Sequence, residues 1–158
     1  MEREISSGGV VLKRTAKGWM IAVIEPQREP ADDKKSSQKM VLALPKGLVD
    51  PGEKPDQTAV REVFEETGIT ATVIAKLTDI KYVYTRSWGD HKRVFKIVSF
   101  YLLKYHSGKI GEISDAMKVE VKSAQWIPLE DAATKLAYKG EREVVVRAQE
   151  YLKSHSEL

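Results

Sequence analysis

The sequence predicts an α/β fold in a single domain, and three observations support this. The chain has 158 residues, the usual size of one domain. Hydrophobic residues make up 42% of the chain, which is enough for one core, and charged residues make up 31%. Runs of β-branched and aromatic residues are mixed with two or three segments of helical pattern. We therefore expect residues 1–158 to form one domain in which helices pack on a sheet.

The chain opens with a predicted hairpin. Residues 7–12 and 19–24 are apolar runs of strand length, and Lys17 and Gly18 between them favour a turn. Residues 26–39 are polar and poor in apolar side chains, so we expect an exposed loop. This loop could act as a lid over a site or be a plain insertion.

A short strand and a turn-rich loop lead into the best-defined helix of the sequence. Residues 40–44 are apolar, and residues 46–53 carry two glycines and a proline. Residues 55–67 begin with a proline, which suits the first helical position, and are followed by Gly68, a natural stop. Asp56 favours the same start because it lies at the positive end of the helix dipole.

The second half of the chain is predicted to form three strands and two helices. The strand segments are rich in β-branched and aromatic residues, and a polar loop separates the first two. The predicted strands are residues 70–84, 93–105 and 122–127, and the predicted helices are residues 129–136 and 141–152.

The composition excludes several classes of site and partner. The chain has no cysteines, which rules out disulfides, cysteine–zinc sites and a thiol nucleophile, and fits a cytoplasmic location. The N-terminus leads into no long apolar segment, so we expect no signal peptide. No stretch approaches the ~20 apolar residues of a membrane span. The formal net charge of +3 is too small to indicate a nucleic-acid partner, although it suits a small anionic ligand.

Three glutamates are neighbours on the predicted helix of residues 55–67. Glu62, Glu65 and Glu66 have the spacing i, i+3, i+4, so their side chains project within one arc. The apolar positions fall on the other side: Ala59, Val60, Val63 and Phe64. Each pair of like charges costs about 0.2–0.5 kcal/mol on an open surface, and only Arg61 offers a local positive partner. Mg²⁺ would remove this repulsion, because it prefers hard oxygen ligands.

The alternative interpretation is an acidic helix face that is simply solvated. Two features favour a metal site instead. The glycine-rich segment 47–52 can bring backbone groups close to a ligand that also meets the helix. Lys46, beside that segment, is a candidate phosphate contact.

The same residues match a known family pattern. The Nudix box is written G-x5-E-x7-R-E-U-x-E-E-x-G-U, in which U is an aliphatic residue. The chain fills every defined position, with Gly47, Glu53, Arg61-Glu62-Val63, Glu65-Glu66 and Gly68-Ile69. It therefore resembles the Nudix hydrolases. The resemblance implies a Nudix fold, an α/β/α sandwich around a mixed β-sheet, and hydrolysis of a phosphoanhydride bond in a nucleoside diphosphate-linked substrate.

The resemblance also implies which residues hold the metal. Glu62 and Glu66 correspond to direct ligands of Mg²⁺, for which Mn²⁺ could substitute. Glu65 corresponds to a ligand that binds directly or through water, and the carbonyl of Gly47 often completes the shell.

Further roles follow from the resemblance. Glu53 and Arg61 correspond to a pair that holds the loop against the helix. The family usually adds one carboxylate from a loop before a late strand, and Glu120 matches that place, with Glu112 and Asp115 as rivals. Which glutamate acts as the general base varies within the family and stays open.

Residues that flank the box indicate a substrate class. The run Leu44-Pro45-Lys46-Gly47, and a tyrosine well beyond the box, resemble the diadenosine tetraphosphate hydrolases. A tyrosine can stack on a purine, and cations bind a polyphosphate chain. The leading prediction is therefore hydrolysis of diadenosine tetraphosphate to ATP and AMP. The candidate substrate contacts are Lys46, Tyr84, His91, Lys92 and Tyr138.

Other substrates and one other function class stay open. The same site could act on a diphosphoinositol polyphosphate, a nucleoside triphosphate or the 5′ end of RNA. Inositol substrates would need a denser basic pocket without a stacking aromatic. A Nudix-fold module that senses a nucleotide without cleaving it typically lacks box glutamates, and all of them are present here. The sequence predicts no oligomeric state.

Overall fold

The computed structural model describes residues 1–27 and 40–158. A six-stranded sheet contains β1 (Glu2–Thr15), β2 (Gly18–Pro26), β3 (Lys46–Leu48), β4 (Thr70–Thr85), β5 (Arg93–Ser107) and β6 (Val121–Pro128). The helices are α1 (Pro55–Thr67), α2 (Leu129–Lys135) and α3 (Lys139–Ser154), and a 3₁₀ turn, Met117–Val119, precedes β6. The predicted α/β class is confirmed.

The sheet is mixed, with the strand order β4-β5-β1-β2-β6. β1 and β5 are parallel, and the other neighbours in this order are antiparallel. The other edge of β1 pairs with two strands in turn: residues 6–8 pair with β3, and residues 12–15 pair with β2. β3 therefore lies in the middle of the sheet, shortly before the chain enters α1.

Helices cover both faces of the sheet. Val10 and Val11 of β1 point to opposite faces because side chains alternate along a strand. On one face, Ala59 of α1 packs in a cluster with Val11. On the other face, Val10 packs in a cluster with Phe100 of β5 and Val144 of α3. The predicted sandwich of helix, sheet and helix layers is confirmed.

α1 begins and ends where the sequence predicts. Pro55 occupies its first position, and the amide of Lys54 donates to the side-chain oxygen of Gln57 at 3.0 Å. Gly68 ends the helix with φ 83°, a conformation that costs glycine little. Its amide donates to the carbonyl of Phe64 at 2.8 Å.

Residues 40–44, predicted as a strand, do not form one. Ala43 makes an isolated bridge to β2. The carbonyl of Leu42 accepts a hydrogen bond from the amide of Ala137, and the amide of Leu44 donates to the Glu141 side chain of α3. Because these backbone groups bind partners in different elements, no ladder forms. The strand lies slightly later, as β3, within the segment predicted to be a loop.

The other predicted strands and helices are present, most of them longer than predicted. Residues 28–39 of the predicted exposed loop lie outside the described residues. In the part of the chain that the structure describes, no helix is long and apolar enough to cross a membrane.

Candidate active site

The site begins at the contact between β3 and α1. A Cβ atom on Gly47 would lie 2.1 Å from the carboxyl carbon of Glu62. A side chain at this position would require the Glu62 carboxylate or β3 to move, so glycine lets the main chain of β3 lie against the carboxylate in its present position. The predicted metal ligand Glu62 and the main chain of Gly47 are thus direct neighbours.

Glu66 is held at the same junction by a backbone donor. The amide of Lys46 donates to Oε1 of Glu66 at 2.8 Å, and Glu66 is only 6% exposed. Burial raises the pKa of Glu66 to about 8, and the charges of Glu62 and Glu120 add to this shift, against the hydrogen bond and charge of Lys46. A cation beside this group would stabilise its ionised form.

The placement of these two glutamates differs from the prediction. The helical wheel puts Glu62 and Glu66 on the side away from the apolar face, whereas the structure buries both beside Ala59 and Val63. Together these four residues form an i, i+3, i+4, i+7 stripe, and Phe64, predicted on the apolar face, is 55% exposed. The reason is β3, whose main chain covers this edge of α1 and supplies a polar partner.

Arg61, in the middle of α1, pairs with four carboxylates: Glu53, Glu62, Glu65 and, at 3.4 Å, Asp50. Its Nε and Nη2 donate to the two oxygens of Glu53 at 2.7 and 2.9 Å, a bidentate pair. Its Nη1 donates to Glu62 at 2.9 Å and to Glu65 at 3.2 Å. The bonds from Arg61, and then from Thr58, lower the pKa of Glu53 to about 2. The pair of Glu53 and Arg61 is thus present and joins the loop to the helix.

Glu120 approaches the carboxylates of α1 from the residue before β6. It is exposed. Burial is the largest influence that raises the pKa of Glu62 and of Glu66, and the charge of Glu120 raises both pKa values further. Its sequence rivals are also exposed: among the described residues Asp115 pairs with a lysine of the 3₁₀ turn, and the carbonyl of Glu112 lies against the end of α1. Glu120 is therefore within electrostatic reach of the buried pair.

The donor chemistry of these residues fits a divalent cation. Glu62 and Glu66 are buried beside each other, and the carboxylates of Glu65 and Glu120 add further hard oxygen donors. Within residues 1–27 and 40–158, no three carboxylates or histidines are already close enough to share one ion. Arg61 contacts both Glu62 and Glu65, so a cation would compete with its guanidinium for these side chains.

A cavity of about 480 Å³ opens beside this junction. We call it the aromatic cavity, and its lining residues are Lys46, Ile80, Tyr82, Val98, Phe100, Tyr138, Gly140 and Glu141. Lys46 belongs to both features, because its amide binds Glu66 while its side chain lines the cavity. Tyr82 and Tyr138 are 42% and 52% exposed, so their rings can accept a flat ligand.

The ammonium of Lys46 is held at the wall of the aromatic cavity. Its Nζ donates to Oε2 of Glu141 at 2.8 Å and lies 5.7 Å from the centre of the Tyr138 ring. Burial lowers the pKa of Lys46, but the Glu141 carboxylate outweighs burial, so the pKa lies above its ordinary value. The predicted phosphate contact is therefore charged and already paired, with donors to spare.

His91 and Lys92, two predicted substrate contacts, lie at the tip of the β4–β5 hairpin. Lys92 lines a second, more open cavity of about 840 Å³ together with Arg86 and Arg93. Two carboxylates partly neutralise this region: Glu2 pairs with Arg86, and Asp90 lies 3.9 Å from Arg86 and 3.6 Å from Lys92. Nδ1 of His91 lies 3.3 Å from the carbonyl of Arg86. We call this region the cationic end of the hairpin.

Tyr84 lies next to the aromatic cavity but does not line it. Its hydroxyl donates to Glu4, and this bond raises the pKa of Tyr84 to about 12. Tyr82, two residues earlier, lines the cavity, with the two ring centres 6.2 Å apart. The structure thus brings Lys46 and Tyr138 together, with Tyr82 as the second aromatic.

Sequence reasoning missed Tyr82 and Glu141. Tyr82 and Tyr84 share one face of β4, so alternation alone could not choose between them. Glu141 did leave a signal, because it is buried with Val144, Val145 and Ala148 in an i, i+3, i+4, i+7 stripe. A glutamate in an otherwise apolar stripe indicates a buried carboxylate with a polar partner.

Comparison with known proteins places this site in a family context. A model of the NUDIX domain matches residues 7–148. The chain is 39% identical over 114 residues to MutT4, a candidate mutator protein of Mycobacterium tuberculosis, and the match covers 72% of this chain and 43% of that protein. It is 31% identical over 105 residues to the 8-oxo-(d)GTP phosphatase of Mycolicibacterium smegmatis, covering 66% of this chain and 29% of that protein. The chain thus spans less than half the length of these relatives.

A solved structure shares the fold over nearly the whole chain. The Ap4A hydrolase of C. elegans, in a binary complex, superposes with a TM-score of 0.71 and covers 96% of this chain and 98% of its own. The sequence identity is 23%. At this identity the likeness shows the fold and leaves the substrate to the residues of the site.

Proposed function

Since the chain belongs to the NUDIX domain family, we propose that it hydrolyses a phosphoanhydride bond in a nucleoside diphosphate-linked substrate with Mg²⁺ or Mn²⁺. The position of Lys46 is the observation that carries this proposal. Its amide binds Glu66 beside the buried Glu62, and its side chain lines the aromatic cavity. A base in that cavity would place its phosphates next to the carboxylates of α1.

The chain supplies the groups that hold and orient the reacting atoms. Glu62 and Glu66, with Glu65, Glu120 and the main chain of Gly47, would hold the cation. When bound, the cation neutralises charge on the diphosphate oxygens and in the transition state. The partly exposed Glu65 or the exposed Glu120 can accept the proton of the attacking water. The second phosphate leaves directly, so no covalent intermediate forms.

Among such substrates we propose a dinucleoside polyphosphate, such as diadenosine tetraphosphate. Ile80, Tyr82 and Tyr84 alternate along a regular part of β4 and so share one face, and Arg86 follows directly after the end of the strand. This face runs from the aromatic cavity to the cationic end of the hairpin, roughly 13 Å from Tyr82 to Arg86 at ~3.3 Å per residue. A long polyphosphate chain needs cationic contacts, and Lys46 at the aromatic cavity with Lys92 and Arg93 beyond the far end of this face would supply them, whereas Arg86 is paired with Glu2.

An oxidised purine nucleoside triphosphate is the second candidate. The name of the 8-oxo-(d)GTP phosphatase of Mycolicibacterium smegmatis favours it. The aromatic cavity would accept one purine, and no second cationic region would be required. A diphosphoinositol polyphosphate fits less well, because the cavity presents two tyrosines and a lysine that Glu141 already neutralises.

A panel of substrates tests both candidates. Purified protein is incubated with Mg²⁺ and diadenosine tetraphosphate, 8-oxo-dGTP, dGTP or ADP-ribose, and the products are resolved by mass. Release of ATP plus AMP with the highest kcat/KM supports the first candidate. Fastest conversion of 8-oxo-dGTP to 8-oxo-dGMP and pyrophosphate would replace it by the second. No hydrolysis of any diphosphate bond would reject the proposed activity.

A further inference from the structure

Glu141 is a buried carboxylate without a role in the proposed hydrolysis. It lies in the first turn of α3 and is 3% exposed. Both of its oxygens are used: Oε1 accepts from the amide of Leu44 at 2.7 Å, and Oε2 accepts from Nζ of Lys46 at 2.8 Å. Its two partners lie almost a hundred positions earlier in the chain, so Glu141 joins α3 to the segment that enters β3.

The segment that Glu141 holds has no ladder of its own to fix it. Residues 40–45 contain one isolated bridge, at Ala43, and are otherwise irregular. The segment leads directly into Lys46, whose amide binds Glu66 at 2.8 Å. The bond from Leu44 to Glu141 therefore fixes the chain two residues before a backbone contact of the active site.

The second bond of Glu141 acts on the ligand side of the site. It holds the Lys46 ammonium on the wall of the aromatic cavity, 5.7 Å from the centre of the Tyr138 ring. An ammonium has three donors, and Glu141 takes one of them, so two remain for a ligand. Fixing a flexible lysine in advance lowers the entropy that a ligand must otherwise remove on binding.

We propose that Glu141 is a positioning residue for nucleotide binding: it aims the two remaining donors of Lys46 at the phosphates of a nucleotide whose base lies in the aromatic cavity. The class of ligand rests on the proposed function. Two effects of this carboxylate oppose each other, because it orients Lys46 but also repels phosphate. The orienting bond acts at 2.8 Å, whereas solvent in the open cavity weakens the repulsion. Orientation should therefore dominate.

A double-mutant cycle tests the proposal with ATP as the probe, in EDTA so that binding is measured without turnover. The variants are Glu141→Gln, which keeps an acceptor for Leu44, Lys46→Met, and the double variant. Isothermal titration should show ATP binding weakened ~3–10-fold by Glu141→Gln and ~10–100-fold by Lys46→Met, the range of a charge-assisted hydrogen bond. In the double variant, Glu141→Gln should add nothing to Lys46→Met. Glu143→Gln removes the same charge from an exposed position of α3 and should not weaken binding.

Several results would overturn the proposal. These are equal effects of Glu141→Gln in both backgrounds, tighter ATP binding by Glu141→Gln, or no ATP binding by the wild type. If Glu141→Gln does not fold, Glu141→Asp keeps the charge on a shorter side chain, and unchanged binding by that variant would also overturn it. If the protein cleaves no substrate of the panel but shows the coupled ATP effect, the proposed hydrolysis is rejected and the positioning role of Glu141 is retained. A protein that cleaves a substrate but shows additive effects would lose only the positioning role.

Discussion

The carboxylate cluster of α1 and the aromatic cavity are adjacent but built in different ways. Most of the cluster comes from one continuous segment, residues 47–66, and ion pairs of Arg61 join its carboxylates. The cavity takes its walls from β3, β4, β5 and the start of α3, and it combines one ion pair with two accessible tyrosines. In the proposed function, reaction type is therefore set by local sequence, whereas ligand choice depends on distant segments. We expect changes in one region to leave the other largely in place.

The largest expected effect is a loss of kcat when a carboxylate of the cluster is changed. Glu66→Gln keeps the size of the side chain and an acceptor for the Lys46 amide, but it removes a ligand charge. We expect kcat to fall at least ~100-fold, because the charge of the metal site stabilises the transition state. The unfolding midpoint should stay close to that of the wild type. Steady-state kinetics with product analysis, beside Glu143→Gln as a control, measures this; full turnover of Glu66→Gln would defeat the ligand assignment.

Removal of the cation should have a comparable effect. Near these carboxylates the described residues place Arg61 and Lys46, and both cations are already paired with carboxylates, so chelation with EDTA should stop hydrolysis. Addition of excess Mg²⁺ should restore the original rate. Hydrolysis that continues after exhaustive chelation would show that the carboxylates act without a cation.

Addition of one methyl group to Gly47 of β3 should disturb the carboxylates of α1. Gly47→Ala places a Cβ atom 2.1 Å from the carboxyl carbon of Glu62, so either β3 or this side chain must move. We expect kcat to fall ~10–100-fold through misplacement. The free energy of unfolding should fall by no more than about 1 kcal/mol, the low end of the overpacking range, because the carboxylate is the far end of a flexible side chain. Leu48→Ala, at an exposed neighbouring position, is the control. Wild-type kinetics for Gly47→Ala would mean that the close approach is not required.

Changes in the aromatic cavity should appear in KM. Tyr82→Ala and Tyr138→Ala each remove an accessible ring, and loss of one base stack, about 1–3 kcal/mol, corresponds to a KM raised ~5–100-fold. We expect kcat to stay near the wild-type value, because neither ring contacts the cluster. Tyr84→Phe removes only the hydroxyl bonded to Glu4 and should change KM little. A loss confined to kcat would contradict the separation of the two regions.

The smallest expected effect concerns acid stability of the cluster. Arg61 lowers the pKa of Glu53 to about 2 from its ordinary value of 4.5. The folded protein therefore binds fewer protons than the unfolded chain between these values, and the pair stabilises the fold above pH 4.5 and loses this effect as the pH falls towards 2. Wild type should exceed Glu53→Gln in free energy of unfolding by on the order of 1–2 kcal/mol at pH 6, because the pair is partly exposed. Urea unfolding at several pH values would show this difference shrinking; a difference independent of pH would exclude the ion pair as its source.

The sequence predicts the cluster well because residues at the spacing i, i+3, i+4 are neighbours on the surface of a helix. Residues 55–67 match α1 at both ends, and the i, i+3, i+4 spacing places the three glutamates together. It did not predict that Glu62 and Glu66 are buried, because their cover comes from β3. That strand was predicted as a loop, since three residues with a glycine carry little strand signal.

The aromatic cavity is less accessible to sequence reasoning. Lys46 and Tyr138 were selected singly, but nothing local shows that they meet. The choice between Tyr82 and Tyr84 depends on how far α3 extends over β4, which is a matter of tertiary packing. Glu141 would have been detectable from the burial stripe of α3, although its bond to Lys46 would not.

Lys46 contributes to the cluster and to the cavity through different parts of the residue, so substitution can change one contribution without the other. Its contribution to the cluster is a main-chain N–H, which nineteen of the twenty amino acids provide, whereas its contribution to the cavity is a particular side chain. Substitution at this position could therefore retune ligand preference while the bond to Glu66 persists, and only proline would break that bond. A fold arranged in this way can diversify its substrates without rebuilding its chemistry.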